Sequence, residues 1–367
     1  MSYPILYSPT ETDFYHNGIG ILSDCVLCEV TEEANGAFEL VMQYPMDGIH
    51  FESIVDRCII KAKPNQSANP QLFRVYSTSK PMPGIVSIFA AHISYDLSGI
   101  TVSPFTANYA EEAMSGLLDN ASIDCPFTFR TDGVMRLGIF SVAVPCSIRS
   151  RLGGSKDSIL DVFGGEYEFD NFDVILHNSR GKNNGVSIRY GKNLTDMKQD
   201  RNCDSVYTGI HPYWAGKVDG KQTVVELPEK IVTAKGSHDF VKIKTVDFSE
   251  EYKEKPDADE LRAISISYIE SNNIGVPSVS LSVSFAQLER IEEYKGQRFL
   301  EDVNLFDTVN VEFPALGVSE NAKAVKVVYD ALADRVKSID LGSGRANISD
   351  TIASLGEMKK FTEFQNR

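Results

Sequence analysis

One stretch, CEVTEEANGAFELVMQYP from Cys28 to Pro45, constrains the fold more than any other part of the chain. On either side of its centre, apolar and polar residues alternate with a period of two, which is typical of half-buried strands. Asn35 and Gly36 lie between the two runs and form a strong turn pair, because both residue types tolerate positive φ. The stretch therefore predicts a β-hairpin whose structural turn is Asn35-Gly36.

The length of the turn decides which residues of the hairpin face each other. A two-residue Asn-Gly loop would place Val30 opposite Val41 and mix the apolar faces of the two strands. A three-residue loop over 34–36 places Val30 opposite Leu40, so that the apolar faces agree. We therefore predict the three-residue loop, as a type I turn closed by Gly36 at positive φ.

Composition narrows the class of protein. A chain of 367 residues predicts two to four domains. Its 36 Lys and Arg against 51 Asp and Glu give a net charge of -15, a field that disfavours tight binding to nucleic acid or anionic membranes. It has no apolar run of membrane length and no secretory signal pattern, so we expect no membrane insertion. Its six scattered cysteines predict reduced thiols in a cytosol.

The spacing of apolar residues, and with it the predicted secondary structure, changes along the chain. Residues 1–100 contain short apolar strands closed by Pro, Gly or Asn, which suggests a barrel or a sandwich. Residues 101–204 mix helical and strand patterns. From 205 strands resume, with the strongest helix pattern near 258–272. Residues 346–367 have apolar positions spaced close to 3.5, which predicts an amphipathic helix.

Capping residues mark the predicted helices. The predicted caps are Asn108 with Glu111, Ser155 with a stop at Gly164-Gly165, and Asp257 with Glu260. The helix capped by Asp257, near 258–272, should bury an apolar stripe made of Leu261, Ile264, Ile266 and Ile269.

The stretch 321–341 satisfies both helix propensity and strand alternation, and periodicity does not decide between the two.

The familiar signatures of catalysis and metal binding are absent from the sequence. No histidine lies in H-E-x-x-H spacing, and there is no G-x-S-x-G elbow or P-loop. The Cys25-x-x-Cys28 spacing has no second pair of zinc spacing. Residues 237–239 read Ser-His-Asp, but sequence neighbours diverge and cannot form a triad. We therefore predict no catalytic, cofactor-binding or metal-binding residue, and no cofactor.

Three segments, taken in order, resemble the phage tail hub proteins, a family often described as prophage endopeptidase tail or phage minor structural protein N-terminal region. The first segment is ILYSPTETDFYHNGIGILSDCVLCEVTEEANGAFELVMQYP, with the family's strand, "EE.NG" and strand pattern at Glu32, Glu33, Asn35 and Gly36. The second is IRYGKNLTDMKQDRNCDSVYTGIHPY, and the third is LFDTVNVEFPALGVSENAKAVKVVYDALADRVKSIDLGSGRANISDTI. The resemblance covers nearly the whole chain.

The resemblance implies an α+β, β-rich fold of tail-tube-like β-barrel domains with α+β insertions. The implied regions are a first β-barrel domain over 1–100 that strands from 205–250 would complete, an α+β insertion domain over 101–204, a second β-barrel domain over 205–345, and the C-terminal helix over 346–367. It also favours a hairpin over 321–341.

The resemblance further implies a role. Such hubs form a homotrimer at the virion tail tip, beneath the distal tail protein, and hold the C-terminus of the tape-measure protein while DNA passes without specific binding. They are made in the bacterial host cytoplasm. Longer relatives carry a peptidoglycan hydrolase or receptor-binding region, but no catalytic residue of the family can be matched here.

Two other functions stay open at the level of sequence. A tail-associated peptidoglycan hydrolase (endopeptidase) would need a cleft with convergent Glu, His or Cys side chains. A host-surface carbohydrate-binding tail protein would need an exposed aromatic platform, and Trp214, the single tryptophan, is the candidate for it. The alternative for Trp214 is a packed aromatic at the end of a strand.

Overall fold

The computed structural model describes residues 3–80, 84–189, 194–202, 206–218, 220–236, 239–249, 252, 254–271, 274–275, 278–285, 303–313 and 318–342. Its contacts divide the chain into two compact units: residues 1–198 with 281–367, and residues 199–280. The predicted C-terminal helix over 346–367 and the Ser-His pair at 237–238 lie outside the described residues.

The described chain is β-rich, with α-helices placed between strands. The strands are β1 (Ile5–Tyr7), β2 (Gly20–Ile21), β3 (Leu27–Glu33), β4 (Phe38–Pro45), β5 (Ile59–Ala62), β6 (Gln71–Ser79), β7 (Ile85–His92), β8 (Thr101–Val102), β9 (Phe105–Tyr109), β10 (Thr128–Asp132), β11 (Leu137–Val142), β12 (Cys146–Ser147), β13 (Glu166–Asp170), β14 (Asp173–His177), β15 (Ser187–Arg189), β16 (Leu194–Asn202), β17 (Gly209–Val218), β18 (Lys221–Glu226), β19 (Val232–Thr233), β20 (Ile243–Asp247), β21 (Ser278–Phe285), β22 (Thr308–Phe313), β23 (Val318–Asp330) and β24 (Arg335–Gly342). The helices are α1 (Ala110–Asp119), α2 (Ile148–Leu152), α3 (Ile159–Phe163) and α4 (Ala258–Ser271), with 3-10 turns at Phe51–Ser53 and Ile93–Gly99.

The hairpin of β3 and β4 has the predicted register. Val30 lies opposite Leu40, and Cys28 lies opposite Met42. The apolar side chains of β4 are buried at every second position, beginning with Phe38, while the residues between them are half-buried. The alternation in the sequence therefore fixes the register, because a slip of one residue would turn every buried side chain outward.

This hairpin lies inside a large sheet of the first unit. Among the described strands the sheet follows the order β16-β21-β24-β23-β3-β4-β7-β6-β5-β1-β2, with β22 and β15 attached beside β23. The path ends at β16 on one side and at β2 on the other, so the pairing of the described strands shows a sheet and not a closed barrel.

Strands from the end of the chain complete this sheet. The last five residues of β23, 326–330, pair with β3, with Tyr329 opposite Val30. β23 and β24 form the hairpin that the resemblance favoured over 321–341. The expected division therefore differs from the observed one. Residues 308–342, and not strands from 205–250, extend the first sheet, and residues 199–280 form a unit of their own. A periodic pattern shows that a segment is a strand but not which strand it pairs with.

Residues 101–178, part of the block over 101–204 that the sequence predicted to be an α+β domain, build a second layer of α+β structure, while β15 and β16 of the same block belong to the large sheet. β10, β14 and β13 form a three-stranded sheet, and β9 pairs with β11. Met114 and Leu117 of α1 are buried in the core of this layer together with Phe140. The fold thus places the helical patterns of this block over an apolar core.

Two of the predicted helix caps in this block are wrong. α1 begins after Tyr109, and it is the Glu112 carboxylate that accepts a hydrogen bond from the Asn108 N–H, at 3.0 Å. At α3 the N-cap is Ser158, while the Ser155 hydroxyl donates to the Ser150 carbonyl. The stop at Gly164 is confirmed, with φ 71. Helix ends shift by a residue or more when a neighbouring carboxylate or carbonyl supplies the hydrogen bond.

The second unit packs α4 against the sheet of β17, β18, β19 and β20. The predicted capping box is confirmed: Asp257 Oδ1 accepts from the Glu260 N–H at 2.9 Å, and Glu260 Oε2 accepts from the Asp257 N–H at 2.9 Å. Leu261 and Ile269 are buried as predicted. Ile266 is exposed, so the prediction that it belongs to the buried stripe is wrong. None of the helices among the described residues is long and apolar enough to cross a membrane.

Candidate functional site

The turn between β3 and β4 has three residues, as predicted, but a different conformation. Asn35 has positive φ, at 50°, and Gly36 does not, so the prediction of Gly36 at positive φ is wrong. The Gly36 N–H donates to the Glu33 carbonyl at 3.0 Å. This hydrogen bond closes a four-residue turn from Glu33 to Gly36, in which Asn35 is the third residue. Positive φ at the third residue is typical of a type II turn, and not of a type I turn followed by a glycine at positive φ.

The Asn35 side chain explains this choice. Its Nδ2 donates to the Gly165 carbonyl at 3.0 Å, and its Oδ1 accepts from the Tyr167 N–H at 2.8 Å. The amide therefore completes two backbone groups at the start of β13, about as a neighbouring strand would. Asparagine tolerates the left-handed region, so these two hydrogen bonds are made at little conformational cost.

A polar pocket of about 310 Å³ lies beside this turn. Glu32 lines it, 3.7 Å from the Arg180 guanidinium. Burial raises the pKa of Glu32, and the positive charge of Arg180 opposes that rise. Gln71 Nε2 donates to Asp170 Oδ1 at 2.7 Å inside the same pocket. Its polar side chains thus bind one another, which is what a structural polar junction requires.

A buried histidine lies on the other side of Gln71. His92 is fully buried, with Nε2 3.1 Å from Gln71 Oε1 and Nδ1 3.0 Å from Ser94 Oγ. Its ring stacks on Phe38 with centroids 4.4 Å apart. Burial, with a smaller contribution from the nearby Arg149, lowers the pKa of His92 well below its usual value. His92 is therefore a neutral residue of the core.

One histidine does meet two carboxylates. His177 Nδ1 lies 3.0 Å from Asp132 Oδ2, and Nε2 lies 2.7 Å from Glu168 Oε2. The three side chains run across β10, β14 and β13, and they link the strands of one sheet. No group of three or more His, Cys, Asp and Glu side chains in the described ranges is placed to hold a metal ion.

The two closely spaced cysteines lie in the core of the first unit. Cys25 and Cys28 are both buried and both free thiols. A hydrogen bond with Cys25, together with burial, raises the pKa of Cys28 well above its usual value. A protonated thiol is a poor nucleophile and a poor metal ligand, so the packing explains this pair.

Trp214 is not a carbohydrate platform. It is 3% exposed, and its Nε1–H donates to the Tyr252 carbonyl at 3.0 Å. A stacking platform needs an open ring face, and this ring is enclosed. Trp214 is packed, as the alternative interpretation expected, but it lies in the middle of β17 and not at the end of a strand.

The second unit carries a groove of about 570 Å³ between α4 and the segment that leads into β19. Its floor is apolar and includes Ile266 and Ile269. Two ion pairs join its walls: Arg262 Nε to Glu229 Oε1 at 2.7 Å, and Lys235 Nζ to Glu270 Oε1 at 2.7 Å. The groove has the form of a contact surface without a convergent catalytic group.

The comparisons with known proteins agree with the resemblance read from the sequence. The sequence model of a family described as "Prophage endopeptidase tail" matches residues 182–352. No curated protein matches the chain. The resemblance to phage tail proteins is thereby confirmed, and the match covers the middle and closing segments in which it was recognised.

Solved structures share the fold. A prophage tail protein, gp18, from Listeria monocytogenes EGD-e is 16% identical, with a TM-score of 0.59 over 98% of this chain and 100% of its own. The 43 kDa tail protein of prophage MuSo2 from Shewanella oneidensis is 12% identical, with a TM-score of 0.58 over 92% of this chain and 97% of its own. A tail protein from Neisseria meningitidis MC58 is 7% identical, with a TM-score of 0.57 over 95% and 98%. At these identities the likeness concerns the fold alone.

Proposed function

We propose that this chain has a structural role at the tip of a phage tail. It resembles the prophage tail family over residues 182–352 and shares its fold with solved prophage tail proteins. In this role the chain is a hub: copies of it form a ring that joins the tail tube to the host-facing tip and closes the DNA channel. The observation that carries the proposal is the family match, supported by a common fold that spans nearly the full length of both chains.

The hub proposal also names neighbours. The ring is a homotrimer, its tube-side neighbour is the distal tail protein, and its axis receives the C-terminus of the tape-measure protein. The sheets of each copy contribute to tail-tube-like barrels around that axis. The net charge of -15 suits a channel, because a wall rich in Asp and Glu repels phosphate and avoids the counterion release that Lys and Arg would drive.

Labelling of assembled particles tests the location. The full chain would carry a short epitope tag in its host bacterium, the prophage would be induced, and gold-labelled antibody would be imaged on purified particles. We expect label at the end of the tail distal to the head. Label spread along the tail tube, on the head, or absent from particles would contradict the proposal.

The family description includes an endopeptidase, so a peptidoglycan hydrolase is the rival function. Within the described residues, His177 contacts two carboxylates in a row of side chains that crosses one sheet, and the thiols of Cys25 and Cys28 are buried. We expect no clearing when the purified chain is run in a gel that contains cell wall, beside a known wall hydrolase. Clearing that a single Glu, His or Cys substitution abolishes would make the chain an enzyme.

A further inference from the structure

The outer face of β11, together with Met135 two residues before the strand, is unusually apolar. Met135 is 88% exposed, Leu137 67% and Ile139 80%. The other face of the strand is already used, because a Cβ at Gly138 would lie 2.5 Å from Val162 of α3. A strand with one buried face normally carries polar residues on the other, and large exposed apolar patches mark interaction sites.

Tyr109 of β9 extends this surface. It pairs directly with Leu137, so the two side chains lie on the same face of the ribbon, and Tyr109 is itself exposed. We name Tyr109, Met135, Leu137 and Ile139 the ribbon patch. Arg136 lies between two members of the patch, is exposed, and forms no ion pair with a described residue. The ribbon patch is therefore apolar, with the positive charge of Arg136 next to Leu137 in the chain and the carboxylate of Glu112 close to Tyr109.

A second apolar surface lies at β2, the last strand on one side of the large sheet as far as the structure describes it. Ile21 is 44% exposed, and Ile49 is 61% exposed. The segment of Ile49 lies against β2, because a Cβ at Gly20 would lie 2.1 Å from the ring of His50. We name Ile19, Ile21 and Ile49 the edge patch.

The edge patch has the opposite charge. Asp24 Oδ2 accepts a hydrogen bond from the Ile49 N–H at 2.6 Å, and Asp47 is exposed two residues before Ile49. Neither carboxylate forms an ion pair with a described residue. The edge patch is thus apolar with two carboxylates that have no ion-pair partner among the described residues, and the Arg136 side of the ribbon patch is complementary to it.

We propose that the edge patch of one copy of this chain binds the ribbon patch of a second copy, with Arg136 facing Asp24 and Asp47. This inference rests on the proposed ring. A ring of identical subunits closes through heterologous contacts, which require two different and complementary surfaces on every subunit. These two patches supply both requirements, apolar area for affinity and opposite charge for orientation. Two unlike surfaces explain the exposure better than a self-complementary pair would.

Two single substitutions in the full chain test the contact by sedimentation velocity over a range of protein concentrations. Ile139→Glu disables the ribbon patch, and Ile49→Glu disables the edge patch. We expect the unmodified chain to associate, each variant alone to be monomeric, and an equimolar mixture of the two variants to stop at a dimer, because one intact junction remains. A matched control, Val241→Glu, replaces another highly exposed apolar residue outside both patches and should leave association unchanged.

Other outcomes overturn the proposal. An unmodified chain that is monomeric at every concentration would contradict the proposal. So would a mixture of the two variants that fails to associate, provided that each variant has the circular dichroism and tryptophan fluorescence of the unmodified chain. If either variant alone still associates, the copies bind through another surface and the proposal is wrong. If Val241→Glu also abolishes association, the effect is not specific to these patches and the proposal is wrong. Charge reversal is the finer test: Arg136→Glu should weaken association about tenfold, and Asp47→Arg in the same chain should restore it.

The result is distinguishable from a failure of the proposed function. Epitope label at the tail tip together with no effect of the patch variants would refute these surfaces and leave the hub intact. Association through the patches without label on particles would refute the hub.

Discussion

Asn35 shows how a single turn residue joins two layers of the first unit. It takes the positive φ that the sequence assigned to Gly36, because its amide reaches Gly165 and Tyr167, 130 and 132 residues away in the chain. Asn-Gly predicts a turn from local preferences alone, but the partners that choose between the two residues are distant. The turn was predictable from the sequence, and its conformation was not.

Replacement of Asn35 should separate conformation from hydrogen bonding. Asn35→Ala loses both hydrogen bonds and places alanine in the left-handed region, so we expect the free energy of unfolding to fall by about 2–3 kcal/mol. Asn35→Gly keeps the φ freedom and loses only the amide, and should cost about 1–2 kcal/mol. Urea unfolding of the two variants measures the difference. Equal and negligible costs would mean that the amide contributes nothing to this junction.

Gly36→Val is still expected to destabilise the hairpin by about 1–2 kcal/mol, but for a reason other than strain at positive φ. A Cβ at this position would lie 3.0 Å from the Cβ of Glu33, and a branched side chain would crowd it further. The Val30–Leu40 register makes the hairpin dependent on a tight loop. Thermal unfolding of Gly36→Ala beside Gly36→Val measures the crowding, and a valine variant as stable as the unmodified chain would contradict it.

His92 should make stability depend on pH. Its pKa in the folded chain is well below 6.5, so between that lower value and 6.5 the unfolded chain binds a proton that the folded chain does not. Stability from this residue is therefore full above pH 6.5 and is lost as the pH falls, by at most about 1.4 kcal/mol per pH unit. Burial raises the pKa of Glu32 and acts in the opposite direction.

The difference between the unmodified chain and His92→Gln isolates this effect, because glutamine can hydrogen bond to the same neighbours and does not titrate. Urea unfolding at pH 7.0, 6.0 and 5.0 should show the cost of the substitution shrinking as the pH falls. A cost that is constant over this range would show that His92 is as easily protonated in the folded chain as in the unfolded chain.

At the scale of elements, the sequence predicted what local pattern controls. The β3–β4 register and the capping box of α4 are confirmed. The pairing of β3 with β23 was not predictable, because alternation identifies strands and leaves their partners open. Ile266 matches the helical spacing of a buried stripe, yet α4 turns it towards a groove whose walls are charged.

The cap of α4 can be tested with the single tryptophan as the probe. Trp214 is buried in the same unit as α4, so its fluorescence reports the unfolding of that unit. Asp257→Ala removes the acceptor for the Asp259 and Glu260 N–H groups, and should lower the free energy of unfolding by about 1 kcal/mol. Asp259→Ala is the control, since Asp259 is exposed and makes no cap, and the exposed ion pair with Arg262 that it loses should cost less than the cap. Equal effects of the two substitutions would show that the box is not what begins the helix.

At the scale of the whole molecule, the acidity of the chain and its two unlike apolar patches point to assembly. A net charge of -15 keeps single copies soluble and keeps phosphate from adhering. The edge patch and the ribbon patch leave apolar area exposed on each copy, which assembly would cover. A ring in which every copy uses both patches would cover the apolar area, whereas a lone copy leaves it exposed to water.

Cryo-electron microscopy of assembled tails that contain this chain would show the proposed ring itself. We expect a closed ring, most simply of three copies, at the end of the tail tube, with the edge patch of each copy against the ribbon patch of the next and few basic clusters along the lumen. A single central copy on the tail axis, or a channel wall lined by Lys and Arg, would contradict it.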